Sequence, residues 1–151
     1  MEFLVAVAIF MTVVVILLTI TIAFYSNEMR NPDLGVRLLV LDLDGCREYV
    51  RDVVTIAGDE SLYYDFVLIC NFALTFRNAC EKITNSRRIL NISKMHEIED
   101  RFAYGVEKIK ALKDDRNTNY ETLKQNIYNL SEIKCEMQRF IIELRKKIQP
   151  K

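Results

Sequence analysis

The sequence is poor in the residues that build most metal and nucleotide sites. Its 151 residues include no tryptophan, one histidine, four glycines and two prolines. One histidine leaves little material for a zinc site, and so few glycines argue against a glycine-rich phosphate loop. Few glycines and prolines also argue against a disordered linker. We therefore expect no cofactor, no metal ion and no small-molecule substrate.

The sequence also lacks an excess of charge of one sign. Lys and Arg together number 21, as do Asp and Glu, and the isoelectric point is about 6.6. No aromatic residues are interleaved with the basic ones, so nucleic acid is not an expected partner. The charge is unevenly distributed, since residues 1–76 carry 4 basic and 10 acidic side chains and residues 77–151 carry 17 and 11. The two halves can therefore attract each other.

The apolar residues are concentrated at the start of the chain. Half of all residues are hydrophobic, yet the mean hydropathy is only +0.04. The 23 residues from Phe3 to Tyr25 contain only three polar side chains, those of Thr12, Thr19 and Thr21. As a helix they would be about 34 Å long, enough to cross a hydrocarbon layer of about 30 Å. We predict a single-pass transmembrane anchor at residues 1–26.

Two other interpretations of this segment are a cleaved signal peptide and a buried core helix. A signal peptide has a basic start, an apolar core of about 7 to 15 residues and small residues before the cleavage site. Here the start is Met1-Glu2, the apolar run is longer, and Ala23-Phe24-Tyr25-Ser26 is a poor cleavage site. These features favour an uncleaved anchor whose last aromatic rings lie at the level of the lipid headgroups.

The basic residues near the predicted span indicate its orientation. No Lys or Arg precedes the span, whereas Arg30 and Arg37 follow it closely. The positive-inside rule then places the C-terminal domain in the cytosol. Residues 27–33 are expected to form a juxtamembrane break, in which Pro32 is suited to the first position of the next helix.

Residues 34–151 are expected to form one small all-α domain, a helical bundle. Its first helix is predicted from Leu34 to Ala57, and Gly58 is suited to end it. The dense apolar stretch Leu38–Leu43 within it fits a helix or a strand. The helical spacing is carried by Leu34, Leu38, Leu41, Tyr49, Val53 and Ile56.

A second helix is predicted from Asp59, as its cap, to about Ile83. Its middle, Phe66–Phe76, is almost entirely apolar and should form the buried centre of the domain. Periodicity alone leaves a strand open for this stretch as well. A turn is predicted at Thr84-Asn85-Ser86.

The last part of the chain predicts two long helices joined by the polar loop 114–117. The first begins near Ile89 and repeats apolar residues at Ile92, Met95, Phe102, Val106 and Ile109. The second should begin with a capping box formed by Thr118 and Glu121. Its stripe comprises Tyr120, Leu123, Ile127, Leu130, Met137, Ile141, Leu144 and Ile148, with Lys134 as the one polar member. This spacing predicts an antiparallel, coiled-coil-like hairpin, whose stripe serves as core or, alternatively, as a surface for a partner.

Four cysteines and one histidine offer little chemistry. The spacings of Cys46, Cys70, Cys80 and Cys135 match no zinc or redox motif, and we expect buried, reduced thiols. His96 lies in a charged segment without a second ligand nearby, so we expect it at the surface.

Two further patterns have local explanations. The glycosylation sequons at Asn91 and Asn129 fall in predicted helices and are interpreted as chance matches. The basic cluster Arg145, Lys146, Lys147 and Lys151 ends the last helix, where cations favour the helix dipole. Contact with anionic lipid or an acidic partner is the alternative role of that cluster.

One motif resembles a catalytic one. Residues 38–46 read LLVLDLDGC, which resembles the first motif of the haloacid-dehalogenase phosphohydrolases, a hydrophobic strand followed by DxDG and usually Thr. The resemblance implies Asp42 as the phosphoryl-accepting nucleophile, Asp44 as the general acid and base, and Mg²⁺ held by both. The sequence departs from that family in having Cys46 instead of Thr and in lacking the pattern of a parallel sheet. We interpret the pair as two solvated acids next to a glycine bend.

We therefore interpret the chain as a non-enzymatic, membrane-anchored structural protein without catalytic residues, whose partners are the lipid bilayer and a protein assembly. The first hypothesis is a minor structural protein that links membrane and capsid in a virus with an internal membrane, by analogy of architecture. The alternatives are an accessory subunit of a cellular or organellar membrane complex, a phage-type lysis protein and a membrane-tethered phosphohydrolase.

Overall fold

The chain folds as α-helices throughout the part that the structure describes. In this computed structural model those residues are 1–30, 32–84, 90–115 and 119–149, with the backbone alone for 24–30. They form α1 (Glu2–Arg30), α2 (Leu34–Val40), α3 (Leu43–Ala57), α4 (Glu60–Thr84), α5 (Ile92–Asp114) and α6 (Tyr120–Ile148), and these ranges contain no β-strand. The prediction of an all-α protein is confirmed. The chain divides into two compact units, Met1–Pro32 and Asp33–Lys151.

The first unit is dominated by α1, a continuous apolar helix. Its Glu2–Ala23 segment is long and apolar enough to cross a membrane and contains no buried residue, although a signal sequence would meet the same criteria. The hydroxyls of Thr12, Thr19 and Thr21 each donate to the backbone carbonyl four residues earlier, at 2.8 Å. These three hydroxyls are therefore satisfied without water. The helix continues through Arg30, into the segment predicted as a break.

The predicted helix from Leu34 to Ala57 is two helices in the structure, so that prediction is wrong. Leu41 and Asp42 form a turn between α2 and α3, and the stretch Leu38–Leu43 contains the end of one helix and the start of the next. Pro32 does not open α2, because Asp33 is the N-cap and its carboxylate accepts from the Gly35 N–H at 3.2 Å.

The core of the second unit is one apolar cluster to which α2 to α6 all contribute. Its largest fully buried aromatic side chains are Phe66, Phe76 and Phe102, from α4 and α5. The stretch Phe66–Phe76 supplies much of this core, as predicted, but Leu68 within it is 61% exposed. Because α4 packs against both α3 and α6, its remaining apolar face reaches solvent.

Two predicted apolar stripes are displaced. In α3 the buried face is Leu43, Cys46, Val50 and Val54. Ile56, predicted on that face, is 90% exposed. In α6 the buried positions are Leu123, Ile127, Leu130, Ile133, Met137, Phe140 and Leu144. Ile133 thus replaces Lys134, and Phe140 replaces Ile141, so that the buried spacing after Leu130 is three then four instead of four then three.

The helix ends are set by local capping. Gly58 ends α3 with φ 74°, in the left-handed conformation that glycine adopts without strain, as predicted. The predicted cap Thr118 lies outside the described residues. The N-cap of α6 is Asn119, whose side chain accepts from the Glu121 N–H at 3.0 Å, so the predicted capping box is wrong. Asp59 directly precedes α4, and its carboxylate accepts from the hydroxyls of Ser61 and Tyr120.

The predicted turn after α4 and the predicted loop after α5 lie only partly within the described residues. Helix α4 ends at Thr84, and the remainder of the predicted turn, Asn85-Ser86, lies outside the described residues, as does Ile89. Helix α5 includes Asp114, which was predicted to be in a loop. The other end of that loop, 116–117, is again outside the described residues.

Candidate functional site

The DxDG motif forms a corner between α2 and α3. Asp42 has φ 56° and ψ 60°, and among the described residues it is the one non-glycine residue with a positive φ. Its Oδ1 accepts from the Gly45 N–H at 3.1 Å, which caps α3. Its Oδ2 accepts from Lys113 Nζ of α5 at 2.8 Å. The Lys113 hydrogen bond, followed by that of Gly45, lowers the pKa of Asp42, and Asp42 in turn raises the pKa of Lys113.

The glycine of the motif is required by this close approach. A Cβ atom at position 45 would overlap the Asp42 carboxylate and lie 2.5 Å from Lys113 Nζ. Only glycine leaves room for the cap and the ion pair together. The local sequence D-x-D-G therefore has a structural explanation in a tight turn between two helices.

The two acids of the motif are not arranged as the phosphohydrolase resemblance requires. Asp42 is engaged by Lys113, and Asp44 is 86% exposed with Arg47 as its ion-pair partner at 3.3 Å. A helix, not a strand, precedes them, and Cys46 is buried. Within the described ranges no group of three or more His, Cys, Asp or Glu side chains is placed to hold a metal ion.

A charged cluster lies in the interface between α4 and α5. Glu99 is fully buried and accepts two hydrogen bonds from Arg77, Nε to Oε1 and Nη2 to Oε2, both at 3.0 Å. Arg77 itself is 16% exposed. This bidentate geometry compensates for removing both charges from water.

His96 lies beside the same ion pair and is half-buried, so it is less exposed than the predicted surface position implies. Its Nδ1 lies 3.2 Å from Arg77 Nη2. Because a guanidinium only donates, Nδ1 must accept and the imidazole is neutral. Burial, followed by the Arg77 charge, lowers the pKa of His96.

A second ion pair extends this charged region to α2. Arg37 pairs with Asp100, the residue after Glu99, and is itself mostly buried. Its Nε and Nη2 are buried without a hydrogen-bond partner among the described residues. Arg37, one of the two residues used to predict orientation, therefore holds α2 against α5. The side chain of Arg30, the other one, is not among those that the structure describes.

The sequence contained a signal for the Arg77–Glu99 pair. Glu99 lies four residues after Met95 and three before Phe102, which places it on the apolar stripe of α5 beside Ile98. An acid on a buried stripe predicts a buried basic partner, since an unpaired buried charge is too costly. The identity of that partner, Arg77 on another helix, could not be read from the spacing.

A groove of about 410 Å³ lies between α4 and α6. Leu62, Ile69 and Ile127 form part of its apolar wall, and exposed Leu68 and Tyr128 also line it. Charged residues of both signs border the groove. Lys134, predicted in the helix seam, is one of them, and its Nζ lies 5.8 Å from the centre of the Phe72 ring.

The cysteines are free thiols with two different environments. Cys46, Cys70 and Cys80 are buried, as predicted, whereas Cys135 is exposed, so the prediction is wrong for that residue. Burial raises the pKa of Cys70 and of Cys80 to about 12, and it also raises the pKa of Cys46. The buried thiols are therefore protonated and unreactive in the folded domain.

The remaining predicted features lie at the surface. Asn91 is the N-cap of α5 and accepts from the Lys94 N–H at 3.1 Å, so this sequon lies at a helix start and not inside a helix. Asn129 lies within α6 and accepts from Gln125. The exposed side chains of Arg145, Lys146 and Lys147 occupy the last turn of α6, while Lys151 is outside the described residues.

Comparison with known proteins adds no relative to these observations: no protein-family model, no curated protein and no solved structure matches the chain.

Proposed function

We propose that this chain is a non-enzymatic, membrane-anchored protein that tethers a membrane to a protein assembly. In this proposal α1 spans the bilayer and the helical domain 33–151 contacts the assembly. The observation that carries the proposal is that no residue of the apolar Glu2–Ala23 helix is buried in the protein. A soluble protein would not leave such a surface in water, because large exposed apolar patches mark membrane or protein contacts.

The free energy of insertion supports a stable anchor. Fourteen Leu, Ile, Phe and Val side chains lie between residues 3 and 22. At about −0.3 to −0.6 kcal/mol each, they favour the membrane by roughly 4 to 8 kcal/mol. The three threonine hydroxyls oppose this little, since each is hydrogen-bonded within the helix.

The helical domain has features of a rigid spacer. We infer that α5 and α6 form the predicted antiparallel, coiled-coil-like hairpin of a helical bundle. Two contacts support this register: Arg101 pairs with Glu136 at 2.7 Å, and Gly105 faces Leu130, so that position numbers rise on one helix as they fall on the other. A rigid bundle suits a protein that holds a fixed distance between a bilayer and a protein layer.

The first experiment tests whether α1 stays in the mature protein and whether it spans the membrane. Membranes containing the full chain are washed with alkaline carbonate, and the mass of the mature protein is measured. We expect an intact chain in the pellet. A mass without residues 1–25 would show a cleaved signal sequence, and release into the supernatant would exclude a spanning helix. Either result would overturn the proposal.

The second experiment concerns the side of the membrane and the assembly. We propose a cytosol-facing domain, so protease added to sealed vesicles with the cytosolic face outward should digest it. Glycans on Asn91 or Asn129 would reverse this orientation. Cross-linking in intact membranes should then join the domain to a defined partner. Cross-linking to a capsid subunit would support a protein that links membrane and capsid in a virus with an internal membrane. Cross-linking to a subunit of a cellular or organellar membrane complex would support an accessory subunit of that complex.

A further inference from the structure

We propose that α2 lies on the bilayer surface and contacts lipid through an exposed apolar face formed by Val36, Leu39 and Val40. This inference rests on the proposed anchoring of α1 and adds a second membrane contact to it. It would make α2 an interfacial helix that fixes the domain close to the membrane.

The geometry of α2 separates two apolar faces. Leu34 and Leu38 are buried in the core and hold one face of the helix against the domain. Val36, Leu39 and Val40 are 54%, 75% and 78% exposed. Their spacing of three and four places them together on the other face.

Polar groups of α2 do not interrupt this outer face. Arg37 is turned toward Asp100 of α5 and is mostly buried. The Asp33 carboxylate is used at the start of the helix, where it accepts from the Gly35 N–H. The three apolar side chains thus form one exposed patch that is suited to contact with an apolar environment.

The position of α2 in the chain favours lipid as that environment. Residues 31–33 alone separate α2 from the end of α1. If Glu2–Ala23 fills the hydrocarbon layer, the helical residues 24–30 extend about 10 Å beyond it, comparable with a headgroup layer of about 5 to 8 Å. Three linking residues reach at most about 10 Å, so α2 begins within that distance of the end of α1 and can reach the headgroups. A partner protein would have to occupy the same narrow space.

A lipid-borne quencher tests this contact in the full chain. In a Cys135→Ser background, Leu39→Cys is labelled with an environment-sensitive fluorophore and reconstituted into phosphatidylcholine vesicles that carry a spin label near the headgroup. The background protein without an added cysteine serves as the labelling blank, because its other thiols are buried. The matched control is Ile56→Cys, which lies near the end of α3 and is 90% exposed.

We expect the label at position 39 to lose most of its emission and the label at position 56 to lose little. Val36→Cys, on the same face as Leu39, should behave like Leu39→Cys and guards against a local effect of one substitution. Carbonate extraction of the same vesicles reports on the anchor separately.

The outcomes distinguish this inference from the proposed function. Protein that resists carbonate but shows equal emission at positions 39 and 56 would overturn the lipid contact and leave the anchor intact. Release by carbonate would overturn both. In a third outcome, a label at position 39 keeps its emission in pure lipid vesicles and yet is protected from water-soluble quenchers in native membranes. That result would assign the face to a protein partner and would also overturn the inference.

Discussion

At the scale of single residues, the buried ion pair of Arg77 and Glu99 is a site where losing one side chain should strongly lower the free energy of unfolding. Glu99 has no exposed surface, and its two oxygens are satisfied by one guanidinium. Removing one member leaves a largely buried charge without its counter-charge, which costs far more than the pair contributes.

We expect Glu99→Gln to reduce the free energy of unfolding by about 3 kcal/mol, because Arg77 would keep its charge in a mostly buried site. The matched control is Glu136→Gln, whose partner Arg101 is 49% exposed. That change should cost less than about 1 kcal/mol, since solvent screens exposed pairs. Urea unfolding of the full chain in detergent measures both, and equal losses would contradict a special role for Glu99.

His96 should make the stability of the domain dependent on pH. Burial and Arg77 lower the pKa of His96, so the folded domain binds the proton less readily than the unfolded chain. Its contribution is therefore complete above the unfolded pKa of about 6.5 and is lost as the pH falls from there toward the lower folded pKa. We expect His96→Gln to flatten the fall in unfolding free energy between about pH 7 and pH 5.5. An unchanged slope would show that other groups titrate in this range.

Two glycines inside helices should respond to alanine with opposite signs. At Gly35 an added Cβ has its nearest neighbours at 3.9 and 4.0 Å, so alanine should stabilise the domain by about 0.5 to 1 kcal/mol. At Gly105 the Cβ would overlap Leu130 Cδ2, and overpacking of about 1 to 3 kcal/mol should exceed the helical gain. Thermal unfolding compares the two variants. A rise in Tm for Gly105→Ala would indicate that α5 and α6 separate easily.

At the scale of helices, α4 shows why a uniformly apolar stretch does not pack uniformly. Phe76 is 1% exposed, and its ring lies 5.7 Å from that of Phe140 in an edge-to-face contact. Phe72, one turn earlier, is only half-buried and lies beside Lys134. The two phenylalanines are equivalent in the sequence and differ in the fold.

We therefore expect Phe76→Ala to cost about 3 to 5 kcal/mol through the cavity that it leaves in the core. Phe72→Ala should cost about 1 to 2 kcal/mol, because only part of its surface is removed from water. Denaturant unfolding monitored by far-ultraviolet circular dichroism measures the difference. A larger loss for Phe72→Ala would place the centre of the core nearer Lys134.

The helical class was predictable because apolar residues recur at spacings of three and four in most of the chain. The break between α2 and α3 was not. Asp42 adopts a left-handed conformation that depends on Gly45 nearby and on Lys113, 71 positions away. The register of α6 was missed for a different reason: Ile133 and Lys134 are adjacent, and only the facing helices determine which one is buried.

At the scale of the whole molecule, the DxDG corner predicts an absence of phosphohydrolase activity. Asp42 would need a free carboxylate oxygen to attack phosphorus, yet one oxygen binds Gly45 and the other binds Lys113. We expect the full chain to show no Mg²⁺-dependent hydrolysis of a generic phosphate ester, and Asp42→Asn to be indistinguishable from it. Hydrolysis that disappears in Asp42→Asn would restore the enzyme hypothesis.

The distribution of charge also acts on the whole domain. The first half of the chain is acidic and the second half basic, and the Asp42–Lys113 ion pair joins the two. Other pairs, such as Arg37 with Asp100, run in the opposite sense. Net attraction between the halves is therefore supplemented by specific pairs, and salt should screen the exposed ones first.

The rate at which the three buried thiols are alkylated measures how often the folded domain opens. Cys46, Cys70 and Cys80 are distributed over α3 and α4, and an alkylating reagent can reach them only when those helices part. Cys135, in contrast, is modified in the folded state. In the full chain, the ratio of slow to fast alkylation would thus report how often the domain opens.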